Sequence, residues 1–243
     1  MQSWGLTDPG CVREQNQDSY IIEQLDRHSL LCVVCDGMGG AKSGNVASSL
    51  ALDVFVQEVK RNYSSSMDME AVDQVLERSV KLSNFTVYDQ SRQFPEFEGM
   101  GTTLVAMLIR RRQVFVVNVG DSRAYRVNTS GIRQITTDHS LVELMLQRGE
   151  LTPETARFFP GKNYITRAIG TESMVQCDLF HLELERGEFI LLCSDGLSNL
   201  VDDQEILFEV VHGVSKKHCC QRLLDIAKSR GAPDNVTSIL VQV

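Results

Sequence analysis

Four stretches of this chain are apolar at nearly every position: LLCVVC at 30–35, TLVAMLI at 103–109, VFVVNV at 114–119 and FILLC at 189–193. Successive side chains of a strand point to opposite faces, so an unbroken apolar strand must be covered on both sides. Each run is far shorter than the roughly 18 residues that span a bilayer. The chain is therefore expected to fold in layers, with these strands inside.

Strand patterns recur at 3–7, 19–23, 30–35, 102–109, 114–119, 124–127 and 133–136, then at 178–184, 189–193 and 237–243. Helical spacing of apolar residues predicts helices over 44–62 and 69–88, and again over 203–211 and 215–230. Asp202 or Asp203 caps the third of these and Ser215 the fourth, with Gly231 and Pro233 just past its end. Elements grouped by type, rather than strictly alternating, point to sheets packed on each other and covered by helix pairs. No linker, repeat or low-complexity tract divides the 243 residues, so one domain is expected. The stretch 137–170 differs: a short helical piece at 141–148 leads into Thr152-Pro153-Glu154 and Phe158-Phe159-Pro160-Gly161. An insertion of this kind reads as a flap.

The buried strands end in carboxylates. Asp36 closes LLCVVCDG, Asp121 follows VFVVNVG, Asp195 follows FILLCS, and Asp234 stands just before the last strand. Singly, each is equally a turn residue, because Asp favours turns and Asp-Gly is a common turn pair. Four at strand ends can converge on one sheet edge, where each pair about 4 Å apart costs roughly 4 kcal/mol at an effective dielectric of 20. A domain stable by about 5–15 kcal/mol cannot carry several such pairs unneutralised. Hard divalent cations bound through oxygen, Mg²⁺ or Mn²⁺, are the natural remedy. Neighbouring glycines let the backbone approach an ion and free a carbonyl to bind it.

Cys32-Val-Val-Cys35 matches a redox or zinc pattern on paper, but within a strand its two thiols face opposite ways and cannot share a metal or a bridge. The seven irregularly spaced cysteines suggest no disulfide framework. A formal charge of −8 argues against nucleic-acid and anionic-membrane surfaces, and Arg110-Arg111-Arg112 reads as a solvated turn. The N-terminus lacks the basic and apolar regions of a signal peptide, so a cytoplasmic location is expected.

Six short motifs now stand in order: Arg13 with Asn16-Gln17-Asp18, Asp36-Gly37-Met38-Gly39-Gly40, Gly101-Thr102-Thr103, Gly120-Asp121-Ser122-Arg123, Ser194-Asp195-Gly196-Leu197 and Asp234-Asn235-Val236-Thr237. Over essentially its whole length the chain resembles the metal-dependent protein serine/threonine phosphatases of the phosphatase 2C type, in their short bacterial form. The resemblance implies an α+β fold, a central sandwich of two antiparallel sheets flanked on each side by a pair of antiparallel helices. It implies two core Mn²⁺ or Mg²⁺ ions bridged by Asp36, with Asp195 and Asp234 on one and the Gly37 carbonyl on the other. Asp121, sharing Asp195, would support a third and weaker ion. Asp18 would order metal-bound water, and Arg13 would clamp the substrate phosphate through its planar guanidinium.

The reaction implied is hydrolysis of phosphoserine and phosphothreonine by direct attack of a metal-bridging water or hydroxide. No cysteine has an arginine six positions later, so the loop of the cysteine phosphatases is absent. Two positions depart from the animal members. Met38 stands where they carry a histidine proposed as the acid for the leaving alkoxide, and Gln17 where they carry a metal-binding glutamate. His139 is a conceivable substitute acid, and water a filler at the second ion. By resemblance the partners are phosphorylated proteins, targets of a bacterial serine/threonine kinase, and the state is monomeric. The rival readings are a pseudophosphatase that only binds, and a phosphatase for small phosphorylated metabolites.

Overall fold

In a computed structural model of the chain, which describes all residues except 40–42, 157, 158, 160, 162 and 163, the unbroken apolar strands lie between a facing sheet and a layer of helices. One sheet orders its strands β1 (Gln2–Asp8), β11 (Val236–Gln242), β10 (Phe189–Cys193), β7 (Arg123–Asn128) and β8 (Gly131–Gln134). The other orders β2 (Asp18–Asp26), β3 (Ser29–Met38), β5 (Leu104–Arg110), β6 (Gln113–Val119) and β9 (Asp178–Glu183), with β4 (Gly101–Thr102) paired to the end of β3. Every pairing is antiparallel.

Alternation along β3 divides its side chains. Leu30, Cys32 and Val34 join the core between the sheets, with Ile190, Leu192, Ile239 and Val241 opposite. Leu31, Val33 and Cys35 face α1 (Gly44–Asn62) and α2 (Met69–Gln93), a core that includes Phe55 and Leu76. Cys32 and Cys35 therefore sit in different cores, both thiols pushed far up by burial. The outer face of the first sheet packs on α6 (Asp203–His212) and α7 (Cys219–Ser229).

The expected elements appear with instructive shifts. Helix α1 has the expected bounds. Helix α2 runs past 88 to Gln93, because Val87 and Ser91 continue its buried face until Phe94, where the following Pro95 disfavours helix. The strand expected over 102–109 is interrupted at Thr103, which turns to bond the backbone of Asp36. Strand β8 begins at Gly131, two residues before the expected 133, because a tight turn pairs Asn128 with Gly131. Asp202 caps α6 with a complete capping box shared with Glu205. Ser215 does not cap the last helix. It precedes a 3₁₀ turn, and Lys216 Nζ bonds the carbonyls of Val210 and Val211 at the end of α6.

The segment 137–170 contains α3 (Leu141–Gln147), α4 (Pro153–Ala156) and two bridges that pin its legs, Ser140 to Ile165 and Thr102 to Ile169. Of the aromatic cluster expected there, Phe158 and Pro160 lie outside the described residues, as does Gly40 of the glycine motif. A further short helix, α5 (Asp195–Ser198), follows β10 directly.

The core between helices and sheet sets a clear expectation for stability. Leu76→Ala, at a position with no solvent exposure, is expected to lower unfolding free energy by about 2–5 kcal/mol in urea titrations. Phe85→Ala, on the exposed side of the same helix, should change it by no more than about 0.5 kcal/mol.

Candidate active site

Strand parity places the carboxylates. Asp18 follows the parity of Tyr20 and Ile22, and Asp36 that of Cys32 and Val34, so both point into the seam between the sheets, at its end. They are also direct cross-strand partners. Asp195 opens α5, on the facing sheet's side, and Asp234 stands before β11. Asp121 follows Gly120, whose φ of 111° no β-carbon would tolerate easily, and where a β-carbon would meet Thr103 Cγ2 at 2.6 Å.

All of these carboxylates except Asp18 line a cavity of about 580 Å³; Asp18 lies buried behind it, beside Asp36. Asp36, Gly37, Asp121, Asp195 and Asp234 line it, and Arg13 reaches it from the loop before β2. Gly37 is required by packing, since a β-carbon there would lie 2.1 Å from the Gly44 carbonyl oxygen. Met38 and Gln17 also line the cavity. Asp121 and Asp195 further line a second cavity of about 690 Å³, bounded by α3 and the start of α6.

The backbone around the carboxylates is tied by hydroxyls and amides. The Asp36 carbonyl accepts from Thr103 N–H (2.9 Å) and the Thr102 hydroxyl (2.9 Å), while Asp36 N–H donates to Thr103 Oγ1 (2.9 Å). Thr103 Oγ1 lies 2.8 Å from Ser122 Oγ, which joins the Asp36 strand end to the loop of Asp121. Asn235 pins the loop that carries Arg13: its amide donates to the carbonyls of Pro9 (3.1 Å) and Gln15 (3.0 Å), and its oxygen accepts from Gln17 N–H (2.8 Å). Sequence reasoning included Thr103, Ser122 and Asn235 in its motifs but gave them no role. The signal was present, in polar residues beside the aspartates of otherwise apolar strands.

Arg13 forms no pair with Glu14. Its Nη2 lies 2.8 Å from Asp234 Oδ2, and both side chains are partly open to solvent. His139 is brought near but not into the cavity. It is buried, its Nδ1 accepts from Gly120 N–H (3.1 Å), and its Nε2 faces Arg167 and Asp178 at 3.2 Å each. Both ring nitrogens are engaged within the fold, and burial lowers its pKa.

The electrostatics are those of crowded acids. Burial first, then neighbouring carboxylates, pushes Asp36 well above the ordinary range and Asp121 to about 7. Burial also raises Asp18 to about 6, against the pull of two hydroxyl donors, and raises Asp195, which lies within hydrogen-bonding reach of Asp36. Asp18 Oδ1 is buried and has no hydrogen-bond partner among the described residues. Among those residues no three acidic, His or Cys side chains close on one point as a finished cage. The all-oxygen donor set, the crowding and the orphaned Asp18 oxygen fit hard divalent cations that keep part of their water, as Mg²⁺ does.

Comparison with known proteins decides the lineage. A profile of the family described as protein phosphatase 2C matches residues 12–226. The chain belongs to the protein phosphatase 2C family. The serine/threonine phosphatase stp of Listeria monocytogenes is 34% identical over 97% of this chain and 93% of its own length. Protein phosphatase PhpP of Streptococcus pneumoniae is 35% identical over 98% of this chain and 96% of its own. The crystal structure of serine/threonine phosphatase Stp1 from Staphylococcus aureus superposes with a TM-score of 0.94 at 36% identity, covering 100% of this chain and 94% of that one. The α+β sandwich expected from the resemblance is thus shared with solved structures. This family hydrolyses phosphoserine and phosphothreonine in proteins and is metal-dependent.

The crowded acids give a pH signature. In the metal-free protein each raised carboxyl holds its proton to a higher pH folded than unfolded. The folded state therefore takes up protons between about 4 and about 7, and stability is lost as pH rises through that window. Thermal melts of chelated protein should show a higher Tm at pH 5.5 than at pH 8, and saturating Mn²⁺ should remove that difference.

Proposed function

We propose that residues 1–243 form one catalytic domain, with 137–170 as its flap, that dephosphorylates proteins by attack of water rather than of a side chain. The cavity lining carries this reading. Among its described residues there is no cysteine, histidine or serine, and the Thr103 hydroxyl is committed to Asp36 N–H and Ser122. A phosphomonoester entering this cavity meets one guanidinium and carboxylates that would be occupied in holding cations, which leaves water as the nucleophile.

Asp36, Asp195 and Asp234, with the Gly37 carbonyl, would hold two core ions, and Asp121 with Asp195 a third. Bound divalent cations supply acidity to water at neutral pH and positive charge for the phosphoryl oxygens. Asp18, buried beside Asp36, keeps Oδ1 without a partner among the described residues and would accept from water held by an ion at Asp36. Arg13 sits at the mouth, where moving from Asp234 to a phosphate exchanges one anionic partner for another of matching shape. Met38 has no proton to give, and with His139 locked in the fold, the leaving alkoxide takes its proton from water in the cavity. The second cavity, opening from Asp121 and Asp195, offers room for the peptide around the phosphorylated residue.

The expected substrates are phosphoproteins made by a bacterial serine/threonine kinase, and the protein acts as a cytoplasmic monomer. The naming of relatives from Listeria and Streptococcus supports the substrate class. Among the described residues no helix is long and apolar enough to cross a membrane. The charge of −8 supports neither nucleic-acid nor anionic-membrane binding.

With Mn²⁺ the protein should hydrolyse a phosphoserine or phosphothreonine peptide with higher kcat/KM than small phosphorylated metabolites, and exhaustive chelation should abolish turnover. Asp195→Asn should lower kcat/KM by more than about 10²-fold and weaken Mn²⁺ binding in calorimetry. A variant that binds Mn²⁺ normally and turns over peptide would remove Asp195 from the site.

A further inference from the structure

Asp18 is a strand residue turned into the seam between the two sheets, and the facing sheet answers it with hydroxyls. Its Oδ2 accepts from Ser194 Oγ at 2.8 Å and from Thr237 Oγ1 at 2.6 Å. Ser194 follows β10 and Thr237 lies on β11, so both bonds cross from one sheet to the other. Thr237 Oγ1 lies 2.7 Å from Thr7 Oγ1, its direct cross-strand partner on β1. Asn16 Nδ2 donates to Thr7 Oγ1 at 2.8 Å, and Asn16 Oδ1 accepts from Asp18 N–H at 3.1 Å.

Each hydroxyl has one proton, and an ionised carboxylate can only accept. With Asp18 ionised, the protons of Ser194 and Thr237 must both point at Oδ2. Thr237 then has none left for Thr7, so Thr7 donates to it, and Thr7 in turn accepts from Asn16. Ser194 Oγ accepts from Thr237 N–H at 3.0 Å, which leaves its own proton for Asp18. The bonds through the hydroxyls therefore all run one way, ending on one oxygen. The other oxygen, Oδ1, is buried and without a partner among the described residues.

We infer that this one-way chain of Asn16, Thr7, Thr237 and Ser194 orients Asp18, saturating Oδ2 so that Oδ1 is left for water held by an ion at its cross-strand partner Asp36, which lines the cavity, and that Thr237 is the positioning residue on which it turns. The inference rests on the reading of Asp18 as an acceptor for water bound to an ion at Asp36. Asn16, two residues before β2 begins, binds both the first hydroxyl of the chain and the backbone of Asp18. The chain also couples the sheets at the end where the carboxylates meet.

The test compares wild type with Thr237→Val, Thr237→Ser, Ser194→Ala and Asp18→Asn. Mn²⁺ binding is followed by calorimetry, Tm by thermal melts, and kcat and KM with an aryl phosphate. Valine keeps the shape of threonine and suits a buried strand but cannot donate. Thr237→Val is expected to weaken Mn²⁺ binding about 10-fold or more and lower kcat similarly, with KM changed less than about twofold, in the range for residues that orient metal ligands. Thr237→Ser should restore both to within about threefold, and Ser194→Ala, which also serves if Thr237→Val does not fold, should repeat the loss. A lower Tm with Mn²⁺ binding and kcat unchanged would overturn the inference. If Asp18→Asn weakens Mn²⁺ binding and turnover while the hydroxyl variants do not, the chain fails and the reading of Asp18 stands. Asp18→Asn without effect overturns both, since Thr237 would then have nothing to position.

Discussion

Asp18 and Asp36 stand opposite each other on neighbouring strands, on the same face, at the end of a seam that is otherwise apolar. Like charges directly opposite in a sheet repel, and removal from water strengthens the repulsion. Asp195 and Asp121 add to it, as the upward displacement of their carboxyls shows. The surrounding structure is built to hold this arrangement against its own charge. Thr102 and Thr103 clamp the backbone of Asp36, Ser122 links it to the Asp121 loop, and the facing sheet supplies hydroxyls to Asp18. What these bonds leave unpaired is negative charge directed at one cavity, and that is what a cation site requires.

The sandwich makes this possible because its core extends to the base of the site. Leu30, Cys32 and Val34 on one sheet and Ile190, Leu192, Ile239 and Val241 on the other are fully or nearly fully buried, so the strand ends have little freedom. A carboxylate on such an end is oriented by the whole strand and not by its loop alone. The same rigidity explains why glycine occupies position 37, where the backbones of β3 and α1 approach too closely for any side chain. Preorganised groups of this kind need no rearrangement at the moment of reaction.

Much of this was legible in the sequence, for a physical reason. Alternation and burial are local properties, so apolar runs ending in Asp36, Asp121 and Asp195 announced buried strands with carboxylates at their ends, and those residues do line one cavity. The helix over 44–62 was equally legible because its apolar spacing is regular. What stayed hidden depends on distant pairings. The register that sets Asp18 opposite Asp36 depends on a hairpin with a bulge near Gln24, and the bonds from Ser194 and Thr237 join residues 176 and 219 positions away. Arg13 on Asp234 is a contact of the same kind. The split of the last helix was missed because Lys216, which looks like an ordinary helix residue, is taken by the carbonyls of α6.

The central claim is that carboxylate repulsion at the end of the seam is present for the sake of a cation and is relieved by it. The most direct measurement is the thermal stability of wild type and Asp36→Asn at pH 8, each with and without saturating Mn²⁺. Asparagine keeps the shape of the side chain and removes the charge at the centre of the cluster. The account predicts that metal-free Asp36→Asn melts higher than metal-free wild type, and that Mn²⁺ raises Tm strongly in wild type but barely in the variant. A metal-free variant that melts lower than wild type, or one that Mn²⁺ stabilises as fully as wild type, would contradict it.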